Sequence, residues 1–338
     1  MGAGKYLLIR AAAALPMLWV LLTVVFVVLR VMPGDPAAAM LGGHAVPAAT
    51  LEAFRRRLGL DQPLAVQYVQ YLLGIARGDL GQSARTGLPV WSELALRLPP
   101  TVELAVAALC VAAVAGVISG AIAATAADRS LDHALRGVHI AALAAFIPWI
   151  GLMLKLIFSV WLGWLPTGGR IGIFEQLEYR PRTHFVLLDA LMLGDWTLAL
   201  DALAHLILPA ITLGFVLSGT LGRMSRASVL ETLSHDYIRT ARAKGLGGGR
   251  VVAAHALPNA LMPIVTVFGL QFAMLLGGAV LTEWTFNWPG IGRYLLESIQ
   301  ARDFPAIQGC VVLIAGMVSL VSLAVDLIYS WLDPRVRY

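Results

Sequence analysis

Six long stretches of this chain carry little or no charge, and each is long enough to cross a bilayer. A membrane-crossing helix needs about 20 consecutive apolar residues. Ala11 to Leu29 is uncharged over 19 residues, Leu104 to Ala127 over 24, Ala202 to Gly222 over 21 and Ala256 to Thr282 over 27. Gly137 to Leu165 is apolar apart from His139 and Lys155, and Phe304 to Leu332 apart from Asp326. Hydrocarbon offers no water to bond a backbone N–H or C=O, so long apolar runs must close their hydrogen bonds internally as helices. The expected fold is an all-α membrane protein with six transmembrane helices. Composition agrees. The chain is 59% hydrophobic and 13% charged, whereas a soluble domain carries roughly 25% charged residues. That argues against a soluble enzyme, a disordered protein and a disulfide scaffold. Cys110 and Cys310 both lie inside apolar runs and read as buried small hydrophobes, with no disulfide or metal site.

The first run is longer than the h-region of about 7–15 residues in a cleaved signal sequence, and it contains Pro16. A retained anchor is expected. Six crossings put both termini on one side. With that side inside, segments 1–10, 128–136, 223–255 and 333–338 hold 12 Lys/Arg residues, against 5 in the short outside segments 166–201 and 283–303. Basic residues are retained on cytoplasmic loops, so both termini are placed inside. The same bias accounts for the net charge of +5 without nucleic-acid binding. The chain then divides into an N-terminal transmembrane helix (1–30), an outside, periplasmic loop (31–103), a core of five transmembrane helices (104–332) and a cytoplasmic tail (333–338). Trp161, Trp164, Trp284 and Trp288 fall near the outer boundary and Trp331 near the inner one, where an aromatic belt is expected.

The loop 31–103 carries two amphipathic patterns. Thr50 can cap a helix with Leu51, Phe54 and Leu58 on one side and Arg55, Arg56 and Arg57 towards the other. After Pro63, Leu64, Tyr68, Tyr71, Leu72 and Ile75 recur at helical spacing. These helices suit the headgroup interface or the outer mouth of a pore, or else a small packed cap with no substrate contact. The segment Thr183 to Leu200 is broken by Asp189, Gly194 and Asp195, so it is expected at the interface rather than across the membrane.

The inside segment 223–258 is the informative one. A short helix fits Tyr237 to Lys244, with Tyr237, Ala241 and Lys244 on one face and Arg239 and Arg242 on another. Gly245 is a natural helix stop, and Gly247, Gly248 and Gly249 follow. Small side chains at Ala241 and Ala243 would let a partner's groove approach the backbone. The alternative reading is a basic loop that meets only anionic headgroups.

This segment resembles a loop of ATP-binding-cassette import permeases, which reads Glu-Ala-Ala, three residues, Gly, nine residues, Ile-x-Leu-Pro. Here the same spacing runs Arg239-Thr240-Ala241, Gly245, His255-Ala256-Leu257-Pro258. Arg239, Thr240 and His255 depart from the general pattern and resemble the peptide-permease branch. Further resemblances lie at Met32-Pro33-Gly34-Asp35-Pro36, Leu58-Gly59-Leu60-Asp61-Gln62-Pro63, Gly78-Asp79-Leu80-Gly81, Trp288-Pro289-Gly290-Ile291-Gly292, Arg302-Asp303-Phe304-Pro305 and Leu332-Asp333-Pro334-Arg335. They run nearly end to end and are most similar to the B-type membrane subunit of dipeptide importers.

The resemblance implies the type I ABC importer permease fold in a bacterial inner membrane. It implies a coupling helix formed by Asp236, Tyr237, Arg239, Thr240, Ala241, Arg242, Ala243, Lys244 and Gly245, inserted in a cytosolic ATPase subunit. It also implies a second homologous permease, two ATPase subunits that bind ATP and Mg, and a periplasmic or extracellular peptide-binding protein. No cofactor is expected in this chain: it has no G-x-x-x-x-G-K-[ST] phosphate loop, no H-E-x-x-H motif and no G-x-S-x-G elbow. It is expected not to be an enzyme. The alternatives are a permease for nickel or another small solute, or a proton-driven secondary transporter, which would need acidic relays at mid-membrane.

Within the spans, Pro148 and Trp149 are expected to bend span three and widen a cavity. Gly269, Gly277 and Gly278 permit close helix contact or a hinge in span five. Lys155 is read either as a pore-facing cation for a peptide carboxylate or as a snorkelling side chain. These six residues are the pore-wall candidates. Asp326 is expected to pair with a loop arginine, and His139 and His205 to be packing or interfacial residues.

Overall fold

Close contact between two helices, each longer than a bilayer is thick, organises the molecule. The computed structural model describes residues 3–31, 47–57, 59 and 61–332. Its helices are α1 (Ala3–Val31), α2 (Ala48–Arg57), α3 (Leu64–Ala76), α4 (Val90–Thr125), α5 (Ser130–Ala144) and α6 (Ile147–Leu154), which runs on as a π-helical turn, Lys155–Trp161. Then come α7 (Ile173–Glu178), α8 (Val186–Leu193), α9 (Trp196–Leu233), α10 (Asp236–Ala243) and α11 (Gly248–Val251), which leads through a second π-helical turn, Val252–Ala256, into α12 (Leu257–Gly278). The last are α13 (Val280–Thr285), α14 (Ile291–Gln300) and α15 (Phe304–Leu332). Among the described residues there is no strand, only a single bridge between Gln82 and Pro89. The motif at Met32–Pro36, the tail 333–338, and the side chains of Trp331 and Asp326 lie outside the described residues.

At 1.5 Å per residue, α4 is about 54 Å long and α9 about 57 Å. They pack together because glycine removes the side chains that would hold them apart. A Cβ on Gly116 would lie 2.8 Å from that of Leu221, and one on Gly120 would lie 2.7 Å from that of Ser225. In return, a Cβ on Gly214 would lie 2.6 Å from that of Val111. Ser225 Oγ donates to the Val117 carbonyl across the seam, at 3.2 Å. On another face of α9, Gly219 and Gly222 admit α5: a Cβ on Gly219 would sit 2.6 Å from the His139 carbonyl, and one on Gly222 would run into the His139 ring. The His139 ring also meets Ser119 Oγ of α4 at 2.8 Å, so one buried histidine joins three helices. Lipid tails give helices no hydrophobic reason to associate, which leaves close packing of small residues as the main source of contact.

Six crossings are expected from the apolar runs; among the described residues three helices, Val90–Thr125, Trp196–Leu233 and Phe304–Val325, are long and apolar enough to cross a membrane, and two bent helix pairs bring the number to as many as five. The charge-free runs also do not mark the helix ends. α4 starts at Val90, fourteen residues before Leu104, where its run begins. Val90 and Leu94 are fully buried against Ile291, Tyr294 and Ala306, while Arg97 pairs with Glu93 and lies 4.3 Å over the Tyr294 ring. This stretch is amphipathic rather than apolar, so part of what reads as loop is helix. α9 continues past Gly222 to Leu233 for a similar reason: Arg226 Nε and Nη2 donate to the fully buried Asp132 at 2.7 and 2.6 Å.

Span three is two helices. α5 and the α6 segment meet at 106° around Ala145 and Phe146, both extended. Pro148 therefore does not bend a helix. It lies in the first turn of α6, where a missing N–H costs no hydrogen bond. Helix α2 starts at Ala48, ahead of Thr50, with the Pro47 carbonyl accepting from the Thr50 and Leu51 N–H groups. Cys310 is buried as expected, but Cys110 is exposed, on a face of α4 that nothing among the described residues covers.

Substituting Gly120→Val should overpack the α4–α9 seam and cost about 1–3 kcal/mol. The thermal unfolding temperature of the purified chain should fall by several degrees. Gly137→Ala, where a Cβ meets nothing within 4 Å, should leave it unchanged. Equal unfolding temperatures for parent and Gly120→Val would contradict this account of the seam.

Candidate functional site

The best-defined candidate lies where α9 projects past its apolar run. Leu233 ends α9, the chain extends through His235, and α10 follows over Asp236–Ala243. Its first turn is closed locally, with Arg239 Nη1 donating to Asp236 Oδ1 at 3.3 Å and Thr240 Oγ1 to the Asp236 carbonyl at 3.1 Å. Its end is set by Gly245, whose φ of +81° needs a residue without a Cβ. The Gly245 N–H donates to the Arg242 carbonyl at 2.9 Å and the Leu246 N–H to the Ala241 carbonyl at 3.4 Å, which closes the C-terminus.

Ile238 and Ala241 hold α10 in place. They pack with Val251 and Ala256, and Leu233 and Leu246 flank them. The sequence reading placed Ala241 on an outward face with Tyr237 and Lys244. The structure turns Ala241 inward, and its small size serves the close approach of α11 instead of a partner. Ile238 was missed, although it is the one large aliphatic side chain in the helix and so its natural anchor. Asp236, Tyr237, Arg239, Thr240, Arg242, Ala243, Lys244 and Gly245 are exposed. The result is a fastened helix whose outer face is polar and basic.

The described pore candidates have different surroundings. Trp149 is exposed. Lys155 does not snorkel freely: Nζ donates to the Thr285 carbonyl at 2.9 Å and lies 5.6 Å from the Phe286 ring centroid. It ties the π-helical turn to α13. Gly269 is buried against Val325 of α15, where it allows close helix contact. Gly277 and Gly278 close α12, and their surroundings lie outside the described residues. Trp288 leaves the expected aromatic belt: it is buried, and Nε1 donates to the Pro100 carbonyl at 2.9 Å. His205 packs as expected, its Nδ1 2.9 Å from the Asp201 carbonyl.

Sequence reading also missed the carboxylates at the other end of the bundle. Glu283 of α13 is fully buried. Its Oε1 accepts from Thr101 Oγ1 at 2.7 Å and its Oε2 from the Arg293 N–H at 2.9 Å. Thr101 Oγ1 in turn accepts from the Ile291 N–H at 2.8 Å. One carboxyl therefore fastens the start of α14 to α4. Gly290 leaves the necessary space, since a Cβ there would overlap the carboxyl. Burial pushes Glu283 up to about 7, against the hydrogen bonds from Thr101, Arg293 and Gly292, which pull it down. Glu103 accepts from Arg170 Nη2 at 2.7 Å and from the Leu187 N–H at 3.0 Å, anchoring 166–201 to α4. Asp189 folds that segment on itself. Burial alone would raise its carboxyl, but hydrogen bonds from Tyr179, Thr183 and the Arg182 and Thr183 N–H groups outweigh this and hold it at about 2. These acids looked like loop charges because their partners lie up to 182 residues away, as with Thr101 and Glu283.

An anchored helix with an exposed polar and basic face at one end of a bundle of membrane-length helices, and buried carboxylates at the other, is the architecture of an integral membrane protein. Residues 116–338 match the family described as binding-protein-dependent transport system inner membrane component, and residues 4–105 match the N-terminal region of such membrane components. The chain belongs to this family and is a multi-pass inner-membrane protein of the ABC permease class. It is 44% identical over 330 residues to the di/tripeptide transport system permease protein DppB of Pseudomonas aeruginosa, covering 97% of each chain. It is 46% identical over 316 residues to the probable D,D-dipeptide transport system permease protein DdpB of Escherichia coli K12, covering 93% of this chain and 92% of that one. It is also 37% identical over 339 residues to the glutathione transport system permease protein GsiC of Escherichia coli, covering 99% of each.

The Glu283 carboxyl sets a sign for pH dependence. Its value in the folded chain, about 7, lies above its ordinary 4.5, so the folded state keeps a proton that the unfolded chain has released. Its contribution to stability is full below about 4.5, falls as pH rises to about 7 and is flat above that. Glu283→Gln should flatten the change in unfolding temperature between pH 5 and pH 7.5. An unchanged slope in that variant would assign the pH dependence to other groups.

Proposed function

We propose that this chain forms half of the translocation pore of an ATP-driven importer for dipeptides or short oligopeptides. The carrying observation is the exposed, anchored helix α10 in a chain similar over nearly its full length to permeases named for peptides. The helix end stopped by Gly245 lies in the cytosol with both chain termini, and the end closed by Glu283 and Glu103 faces outward. The excess of Lys/Arg in the first set of segments supports this orientation.

In this reading α10 sits in a groove of an ATPase subunit. Tyr237, Arg239, Thr240, Arg242, Ala243 and Lys244 make the contact, while Ile238 and Ala241 transmit its movement to α11 and the start of α12. ATP and Mg are bound by two such partner subunits, a second homologous permease completes the pore, and a peptide-binding protein delivers substrate from outside. This chain contributes rearrangement of helices and no covalent chemistry. The long rigid α9 is suited to that role, because α10 hangs from one end of it while its middle packs on α4. A displacement at the ATPase can then reach the membrane without passing through a flexible loop.

Gly245→Pro tests the assignment. Proline fixes φ near −65° and cannot adopt +81°, yet no neighbour lies within 4 Å of the Cβ position, so damage is confined to the end of α10. In the reconstituted transporter, this variant should insert normally but lose at least about tenfold of peptide-stimulated ATP hydrolysis, the size of a coupling free energy between sites. Normal stimulation would refute the coupling role. Uptake of labelled di- and tripeptides should stop when the partner ATPase is inactivated, with nickel as a comparison solute. Continued uptake on a proton gradient would support a secondary transporter instead.

A further inference from the structure

A cavity of about 260 Å³ opens at the end of the bundle opposite α10, between the last turn of α1, helix α3 and the first turns of α15. Arg30, Gln67, Gln70, Tyr71, Asp79 and Gln308 supply its polar lining. Arg30 is held over the Phe26 ring at 5.1 Å, and its Nε donates to Gln67 Oε1 at 2.9 Å. Gln67 is fixed in turn by donating its Nε2 to the Gln62 carbonyl at 2.8 Å. Only Nε of the guanidinium is bonded among the described residues, so both terminal nitrogens remain available. The Tyr71 hydroxyl is buried and has no hydrogen-bond partner among the described residues. A buried donor without a partner is costly, and such a group commonly marks a missing ligand. Asp79 supplies a negative charge on the same cavity, with Oδ1 held by the Gly81 N–H at 2.9 Å.

We propose that this cavity binds the headgroup of a phospholipid of the ethanolamine type. Arg30 and the Tyr71 hydroxyl take the phosphate, and Asp79 takes the ammonium. Two features select a lipid over a soluble ion. The cavity lies on the periphery of the bundle, where α1 packs on α15 through Leu29, Phe304 and Ile307 and stays away from the α4–α9 seam. An unbroken exposed stripe, Val20, Val24, Val27, Val28 and Val31, leads along α1 towards Arg30, and such a stripe offers a bed for acyl chains. Inorganic phosphate or a free peptide has no use for it. The leaflet is the one at the α14 end, which is the outer leaflet in the orientation proposed above. The lipid site itself does not depend on the transported substrate.

Native mass spectrometry of the delipidated full-length chain, titrated with phosphatidylethanolamine, phosphatidylglycerol and inorganic phosphate, tests the proposal. The parent should retain phosphatidylethanolamine in preference to phosphatidylglycerol. Arg30→Gln should weaken that binding at least about tenfold, the size of one lost charge-assisted contact. Tyr71→Phe removes only the hydroxyl, so it should weaken binding severalfold without lowering the unfolding temperature of the lipid-free chain, which loses an unpaired buried donor. Asp79→Asn should abolish the preference for ethanolamine. The proposal is overturned if Arg30→Gln and Tyr71→Phe bind like the parent. It is equally overturned if the parent shows no preference between the two lipids, or if inorganic phosphate displaces the lipid.

Discussion

The approach of α4 to α9 along a glycine-lined seam is the contact on which the other features depend. Two helices in hydrocarbon gain nothing from hiding apolar side chains from each other, because lipid is as apolar as they are. They gain from dispersion, which falls steeply with distance, so the backbones must come close. Gly116, Gly120 and Gly214 provide that closeness, and Ser225 adds a hydrogen bond across it. Once the seam is set, each of the two helices becomes a rigid rod longer than the bilayer. The overhanging ends of those rods carry the features that matter for function.

Both overhangs are fastened by acids that are largely buried and hydrogen-bonded, some of them to a cation and some to neutral donors. At one end Asp132, in the first turn of α5, meets Arg226 and fixes the start of α5 against α9, and α10 hangs beyond it. At the other end Glu283 and Glu103 attach α14 and the segment 166–201 to α4. Burying a carboxylate is expensive unless its hydrogen-bonding capacity is met, and these acids are met by two or more donors each. Such groups are strongly directional, so they define one arrangement of the ends where apolar contact alone would allow several. In the importer proposed above the ends must move as units, and buried polar clamps of this kind suit that role.

Helix α10 shows the division of labour on a small scale. Ile238 and Ala241 are turned inward onto Val251 and Ala256, and the polar residues are turned outward. The helix is only eight residues long, too short to persist alone in water. Its stability comes from that small apolar contact and from the closure at Gly245. A partner that grips the outer face therefore pulls on a packed unit joined to α9 and α12.

Much of the fold was legible in the sequence because the bilayer imposes a length and a polarity on every crossing, and both can be counted. The apolar runs, the glycine stop after Lys244 and the helical pattern of residues 237–244 are local signals, and the matching elements formed. The family resemblance was equally local, resting on short motifs in order. What could not be read locally was orientation. Whether Ala241 faces a partner or α11, whether Lys155 lines a pore or bonds the Thr285 carbonyl, and whether Trp288 lies in a belt or under Pro100 all depend on neighbours far along the chain. The sequence by itself determined that the chain is helical and lies in a membrane, since an uninterrupted apolar run of this length meets its own backbone hydrogen bonds there as a helix. Only the tertiary structure decided which charges are buried and where the helices end. A charge can close a helix, extend it or clamp it to another, and the partner it finds in space selects among these outcomes.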